Sequence, residues 1–240
     1  MYNIEKIMRG GKACGIPITE DQAVLLSAYM ERLLEANKEI NVTRITDPDD
    51  FIEKHILDSL TCLEFIKDKA GDILDVGTGG GFPGVPLAIM LKDAKITMMD
   101  ATGKKLKLIE SICSNIGIEN VSFLHGRAEE MGRDPFYRET YTCVVSRAVA
   151  NLCLLSELCL PLVRTGGQFL ALKGKNYLEE LEEGERAING LGGKIIAKES
   201  RLLLQSDLVH VIILVDKIKN TPEEFPRVFG KMKKDGFPRG

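Results

Sequence analysis

From Asp72 to Gly84 the chain reads Asp-Ile-Leu-Asp-Val-Gly-Thr-Gly-Gly-Gly-Phe-Pro-Gly. A short β-type run, Ile73–Val76, leads into the glycines, and an apolar helical segment, Val85–Met90, follows them. Strand, glycine turn and helix in that order present backbone N–H groups to a nucleotide-like ligand. Gly79-x-Gly81-x-x-Gly84, with Asp100 about twenty residues on, satisfies the dinucleotide fingerprint. Asp75, two residues before Gly77, argues against that ligand, because a carboxylate beside the cradle repels a pyrophosphate. An ammonium group suits the acidic neighbourhood better, and S-adenosylmethionine carries one on its amino-acid end. The glycines then let the backbone approach the amino-acid and ribose portions closely. A dinucleotide enzyme, or a structural turn with no ligand, stands as the alternative.

Other polar residues fall where strands should end. Asp100-Ala101-Thr102 closes the second strand-like run, and a carboxylate there can accept both ribose hydroxyls of an adenosine; a solvated strand-end Asp is the alternative. Arg127-Ala128-Glu129 follows the third run, where a carboxylate or backbone group can accept from an adenine amino group; a Glu favoured by a helix start is the alternative. Arg147 ends the fourth run and Lys173 the fifth, so both cations are expected at the cleft mouth, free to hold an anion or a planar base, unless they are unrelated surface charges. His55, Asp58 and Ser59 share one helical face, with Asp58 placed to orient His55 toward substrate; an ordinary surface or domain-contact cluster is the alternative. Ser59 lies too close in sequence to act as an independently presented nucleophile. No residue is assigned as catalytic, and no metal is expected. None of the six cysteines (Cys14, Cys62, Cys113, Cys143, Cys153, Cys159) forms C-x-x-C or has a His at ligand spacing. They read as reduced core thiols.

The elements that position these groups follow from hydrophobic rhythm. The first 66 residues read as helical, with Thr19 and Gln22 at capping-box spacing, a second amphipathic stretch from about Asp49 to Ile66, and Asn41-Val-Thr-Arg-Ile-Thr as a polar connector. Strands are expected at Ile73–Val76, Lys95–Asp100, Val121–His125, Tyr141–Ser146, Gln168–Lys173, Lys194–Ala197 and Val209–Val215. Helices are expected at Val85–Leu91, Lys104–Ile116, Ala128–Met131, Leu152–Leu162 and Tyr177–Ile188. Alternation of this kind makes an α/β fold with a mostly parallel sheet, Rossmann-like, ending in an antiparallel edge hairpin. Seven strands with that ending match a methyltransferase sheet better than a six-stranded dinucleotide fold. The expected division is a helical extension over 1–70, a main domain over 71–216 and a basic, Pro-containing tail over 217–240. That tail holds seven Lys/Arg against three Asp/Glu and is expected to be irregular, either solvated or in contact with phosphate. With 240 residues, 44% hydrophobic and 28% charged, the composition is that of a soluble globular protein. A net charge of −3 gives no global sign of nucleic-acid binding, though a local basic face is compatible with it. No run approaches the roughly eighteen apolar residues of a membrane span, and the first ten lack signal-peptide character.

The segments Asn41-Val-Thr-Arg-Ile, His55-Ile-Leu-Asp-Ser-Leu, Leu74-Asp-Val-Gly-Thr-Gly-Gly-Gly-Phe-Pro-Gly, Arg127-Ala-Glu, Ser146-Arg-Ala and Leu172-Lys-Gly-Lys run in one order over about 40–216. In them the chain resembles the RsmG (GidB) family, bacterial methyltransferases of guanine N7 in small-subunit ribosomal RNA. The resemblance implies a class I S-adenosylmethionine-dependent methyltransferase fold with a small N-terminal helical extension. It also implies methylation in the decoding-region loop of 16S rRNA, the naked RNA or the small ribosomal subunit being the partner. Carried over, Gly77, Gly79, Phe82, Asp100, Ala101, Thr102, Ala128, Glu129 and Arg147 would contact the cofactor. Asn41, His55, Asp58, Arg127 and Lys173 would lie on the substrate side. A cytoplasmic location is expected, with no metal or membrane partner; the sequence does not fix oligomeric state, and a monomer is expected because no long exposed apolar helix demands a dimer. A methyltransferase of metabolites or proteins, and a dehydrogenase or idle binding module, are the competing classes. The tail departs from the family: Val228–Gly240 lacks its usual Gly-Thr-Pro ending.

Overall fold

In the computed structural model, residues 1–147, 149–174, 177–202 and 209–238 are described, with backbone alone for 201, 202 and 209. Ala148 and Lys175, which belong to two of the segments quoted above, lie outside them. β1 (Asp72–Val76) pairs in parallel with β2 (Lys95–Asp100) on one side and β4 (Tyr141–Arg147) on the other. β3 (Val121–His125) continues the sheet beyond β2, and β5 (Val163–Lys173) continues it beyond β4. β7 (Val209–Lys217) runs antiparallel to β5, and β6 (Gly193–Leu202) antiparallel to β7. The order is therefore β3-β2-β1-β4-β5-β7-β6, with β6 outermost. The winding reverses between β1 and β4, which opens a crevice beyond their carboxyl ends. Gly77 follows one of those ends and Arg147 is the other.

Both faces of the sheet are covered, and period-two alternation sorts the strand residues between them. Ile73, Cys143, Val145, Leu170, Leu172, Ile212 and Leu214 face one core. Leu74, Val144, Phe169, Ala171, Val211, Ile213 and Val215 face the other. The first core is roofed by α1 (Tyr2–Ala13), α2 (Glu20–Ala36), α3 (Pro48–Phe51), a π-helical turn (Ile52–Leu57), α4 (Asp58–Leu60), α5 (Gly84–Met90) and α6 (Gly103–Asn115). The second is roofed by α7 (Ala128–Met131), α8 (Leu152–Cys159), α9 (Tyr177–Gly190) and α10 (Phe229–Asp235). Thr19 and Gln22 form the reciprocal capping box at the start of α2. Asp47 caps α3 through the N–H groups of Asp49 and Asp50, with Pro48 at the first helical position, where its missing N–H costs nothing. Five of the six cysteines are buried.

Three elements differ from expectation. The helix expected over Leu152–Leu162 stops at Cys159 and becomes a 3₁₀ turn, because Pro161 cannot donate to an α-helical ladder. β5 begins at Val163 rather than Gln168; the Gly166-Gly167 pair that reads as a loop lies within the strand. β6 runs to Leu202, its polar Lys198 and Glu199 being the residues of an edge strand.

The tail is not irregular throughout: Phe229–Asp235 is helical. It is anchored as well, since Phe225 and Met232 belong to the second core, while most of its other residues are exposed. Arg138 donates to the carbonyls of Gly132, Thr221, Pro222 and Phe225, and Arg133 to those of Glu224 and Pro226. Arg227 forks onto Glu157, with Nε–Oε1 2.8 Å and Nη2–Oε2 2.6 Å. The Glu157 side chain is 1% exposed. Arg227→Ala strands that carboxylate without its cation and is expected to lower the unfolding free energy by about 3 kcal/mol. Urea denaturation checks this; the double variant Glu157→Leu/Arg227→Met is expected to lose less, because neither charge is left behind.

Candidate active site

The glycine turn consumes its own donors. Gly77, Gly79 and Gly81 sit at φ +73°, +59° and +84°, the left-handed region where a side chain is strained. The N–H groups of Gly77 and Thr78 both donate to the carbonyl of Met99, at 2.8 and 3.0 Å. Gly79 N–H donates to Asp100 Oδ2 at 3.0 Å, Gly81 and Phe82 to the carbonyl of Thr78, and Gly84 to Asp75 Oδ2 at 2.8 Å. A phosphate cradle needs several of these N–H groups pointing outward. Here they are spent on the protein, and a carboxylate holds the one at Gly79. The turn is therefore not built for a pyrophosphate.

Asp75 does not face the ligand space. It is fully buried beneath the turn, where Oδ2 accepts from the Thr78 hydroxyl at 2.7 Å and from Gly84, while Oδ1 has no partner among the described residues. Burial pushes its pKa up to about 6 despite those donors. Its part is to brace the turn against the start of α5. Asp100 is half-buried at the rim, with Oδ1 on the N–H of Thr102 at 2.8 Å. Each of its oxygens keeps a lone pair for a ligand hydroxyl.

A cavity of about 430 Å³ opens at the crevice. Of the residues expected from the sequence, it brings together His55, Gly77, Gly79, Phe82, Asp100, Ala101 and Arg147. Val42, Thr43, Lys105 and Val149 also line it and were not anticipated. Thr43 belongs to the polar connector that the sequence marks out, but nothing there favours it over Asn41. Lys105 and Val149 carry no signal. Asn41 lines instead a larger groove of about 1120 Å³ between the end of α2 and the connector, which shares Val42 and Thr43 with the cavity. Thr102 sits next to Asp100. Arg127, Ala128 and Glu129 lie beyond the cavity walls, with Arg127 Nε 2.6 Å from Glu129 Oε1 and its guanidinium over the Phe229 ring.

Arg147 is not free, contrary to expectation. Nη1 donates to the Lys54 carbonyl and to Asp58 Oδ2, both at 2.8 Å, and Nη2 lies 2.9 Å from His55 Nδ1. The π-helical turn carries Lys54 and His55, and Asp58 follows it as the first residue of α4. Asp58, 1% exposed, pairs with Arg147 rather than orienting His55; its other oxygen stands 2.7 Å from His210 Nδ1. Burial works against the ionised form of Asp58, but the His210 and Arg147 contacts outweigh it and hold the pKa below its ordinary value. His55 is positioned instead by Arg147 and by Thr43, whose Oγ1 is 2.7 Å from Nε2. Its ring stacks on Phe82 at 4.7 Å and 9°, with Phe51 edge-on to both. Ser59 is fully buried and donates to the His55 carbonyl. Lys173 is not an open cation either: Nζ is 2.7 Å from the Ala150 carbonyl and 2.7 Å from Glu180. The two strand-end cations are thus neutralised one by one and form no joint anion site.

The family described as GidB, rRNA small subunit methyltransferase G, matches residues 22–200. Ribosomal RNA small subunit methyltransferase G of Alkaliphilus oremlandii is 42% identical over 231 residues, 95% of this chain and 96% of its own. The protein of the same name from Clostridium novyi is 46% identical over 200 residues, 83% of this chain and 82% of its own. Among solved structures, the YcgJ protein from Bacillus subtilis aligns with TM-score 0.53 at 16% identity, over 68% of this chain and 99% of that one. M. jannaschii TYW2, solved in complex with AdoMet, aligns with TM-score 0.53 at 15% identity, over 68% and 76%. At those identities the two structures speak to the fold alone.

Burial, and then the neighbouring Arg147 charge, push the His55 pKa down to about 3. The unfolded chain therefore takes up this proton first. The stability that the neutral ring contributes is complete above about pH 6.5 and is lost as pH falls toward 3. Imidazole NMR is expected to show His55 unprotonated from pH 8 to pH 5, in the Nε2–H tautomer. A titration midpoint near 6.5 would contradict the geometry.

Proposed function

We propose, for a chain that belongs to the rRNA small subunit methyltransferase G (GidB) family, that it transfers a methyl group from S-adenosylmethionine to N7 of a guanine in the decoding-region loop of 16S rRNA. The observation that carries this is a cavity with two unlike walls. One is the glycine turn with Asp100, closed to phosphate and open to a hydroxylated ligand. The other is a neutral, stacked His55 whose two ring nitrogens are already engaged, so no base is on offer. Guanine N7 carries a lone pair and no proton, so no base is needed.

S-adenosylmethionine fits the first wall: Asp100 suits its ribose hydroxyls, Gly79 leaves open space where a side chain would stand, and Gly77 makes room for Val149 on the cavity wall. It supplies a methyl group on a positively charged sulfur. The chain's own contribution is positioning, which holds reacting atoms at high effective concentration. Ala101 and Thr102 border Asp100, Phe82 walls the inner end, and Ala128 and Glu129 extend the same edge toward the adenine end. Arg147 acts through what it fixes. It holds His55, and with it the shape of the substrate side, while Asp58 holds Arg147. Lys173 secures the Ala150 carbonyl just past β4. Arg127 and Asn41 are both exposed, which supports an RNA-side role for them. The same reading has the protein acting in the cytoplasm as a monomer. No described helix is long and apolar enough to cross a membrane.

Mapping N7-methylguanine in 16S rRNA from cells lacking the protein tests the assignment. The decoding-region modification is expected to vanish, to return with the wild-type gene and to stay absent with Asp100→Ala. An unchanged modification would sink it. In calorimetry, Asp100→Ala is expected to weaken S-adenosylhomocysteine binding about 10- to 100-fold, the range for losing hydrogen bonds to a charged group.

A further inference from the structure

Thr43 is held more firmly than a connector residue needs to be. Asn37 Oδ1 accepts the N–H groups of Val42 and Thr43 at 2.8 and 3.0 Å, and Asn37 Nδ2 donates to the Thr43 carbonyl at 3.0 Å. The backbone at Thr43 is thus fixed by a side chain at the end of α2. Thr43 lines both the 430 Å³ cavity and the 1120 Å³ groove.

Proton bookkeeping around the Thr43 hydroxyl leaves one choice. A guanidinium only donates, so the Arg147 contact makes His55 Nδ1 the acceptor. A neutral ring with Nδ1 unprotonated carries its hydrogen on Nε2 and donates it to Thr43 Oγ1. The N–H of Ile45 donates to the same oxygen at 3.1 Å. Both lone pairs of Oγ1 are then taken, and its own hydrogen is left to donate. Among the described residues no acceptor receives it. The Arg147–His55–Thr43 chain therefore delivers, at the junction of cavity and groove, a hydroxyl that can only donate.

We propose that Thr43 is a specificity-determining residue that donates its hydroxyl hydrogen to O6 of the target guanine. On the edge that carries N7, guanine presents two acceptors, N7 and O6, whereas adenine presents an amino donor beside its N7. A donor-only hydroxyl matches the first and opposes the second. The choice of guanine thus follows from a tautomer set two residues away, by Arg147. This rests on the guanine-N7 reading above.

The test is a cycle of two changes, read as kcat/KM for methyl transfer to small-subunit RNA or particles. One change is Thr43→Val; the other replaces the target guanine with 2-aminopurine, which keeps N7 and lacks O6. Each alone is expected to cost about 10- to 100-fold, the range for leaving one buried hydrogen-bonding group unpaired. Together they are expected to cost little more than either, because both remove the same bond. Thr43→Ser is expected to restore activity, and S-adenosylhomocysteine affinity is expected to be unchanged in both variants. Full activity of folded Thr43→Val, or penalties that multiply, would overturn the role. A loss of S-adenosylhomocysteine affinity matching the loss of activity would overturn it too, by assigning the hydroxyl to the cofactor. If Thr43→Val does not fold, Thr43→Ala takes its place: a guanine to 2-aminopurine ratio near one supports the bond, and the wild-type ratio removes it. Failure of the wild-type protein to methylate the guanine at all would instead strike the underlying assignment.

Discussion

The Arg147–Asp58 pair is the joint on which the site depends. Arg147 ends a central strand, Asp58 begins a helix of the N-terminal extension, and the pair is almost out of water, at 14% and 1% side-chain exposure. A buried pair of this kind repays its desolvation only when further hydrogen bonds complete it. The Lys54 carbonyl and His55 Nδ1 do so for the guanidinium. The planar fork of an Arg reaches all three acceptors at once, which the point charge of a Lys cannot do. Through this joint the sheet fixes the ring of His55, and the ring fixes the hydroxyl of Thr43. The extension is thereby part of the site, and the residues on its side are held as firmly as those on the strands.

A second constraint acts on the cofactor side. Nucleotide folds of this topology place a glycine turn at the same switch point, and what differs is where its N–H groups go. Asp75 and Asp100 bracket the turn from below and beside it and draw N–H groups inward. Two carboxylates thus give the turn its shape and rule out the anion that a bare glycine pattern would admit. Asp75 acts wholly from inside, and its cost is visible in a carboxyl pushed up to about 6.

Most of the fold was legible because it rests on period. The strand residues alternate between two cores, and the alternation survives in the sequence wherever both faces are buried. It fades at β6, an edge strand with Lys198 and Glu199, and at the start of β5, where Gly166 and Gly167 carry no pattern. The site was legible only in part. Gly77, Asp100 and Arg147 stand at strand ends, where chemistry is expected, and were found there. What they do was not legible: a strand-end Arg reads the same whether free or pinned, and its partner Asp58 lies 89 residues away in sequence. Thr43 was hidden for a related reason. Its importance comes from which nitrogen of His55 carries the hydrogen, and that is decided by a third residue on another element.

The clamp on the tail has a bearing on how the molecule is made. Arg133 and Arg138 find their carbonyl partners 83 to 93 residues further along the chain. During synthesis, α7 and the strands around it are complete long before those partners leave the ribosome. Until then, the sites that will hold Phe225 and Met232 stay open to solvent, and the second core is unfinished. The first core needs nothing beyond Leu214. The face that carries the Thr43–His55–Arg147 chain can therefore close before Phe225 and Met232 have emerged, and the far face is sealed only once they have.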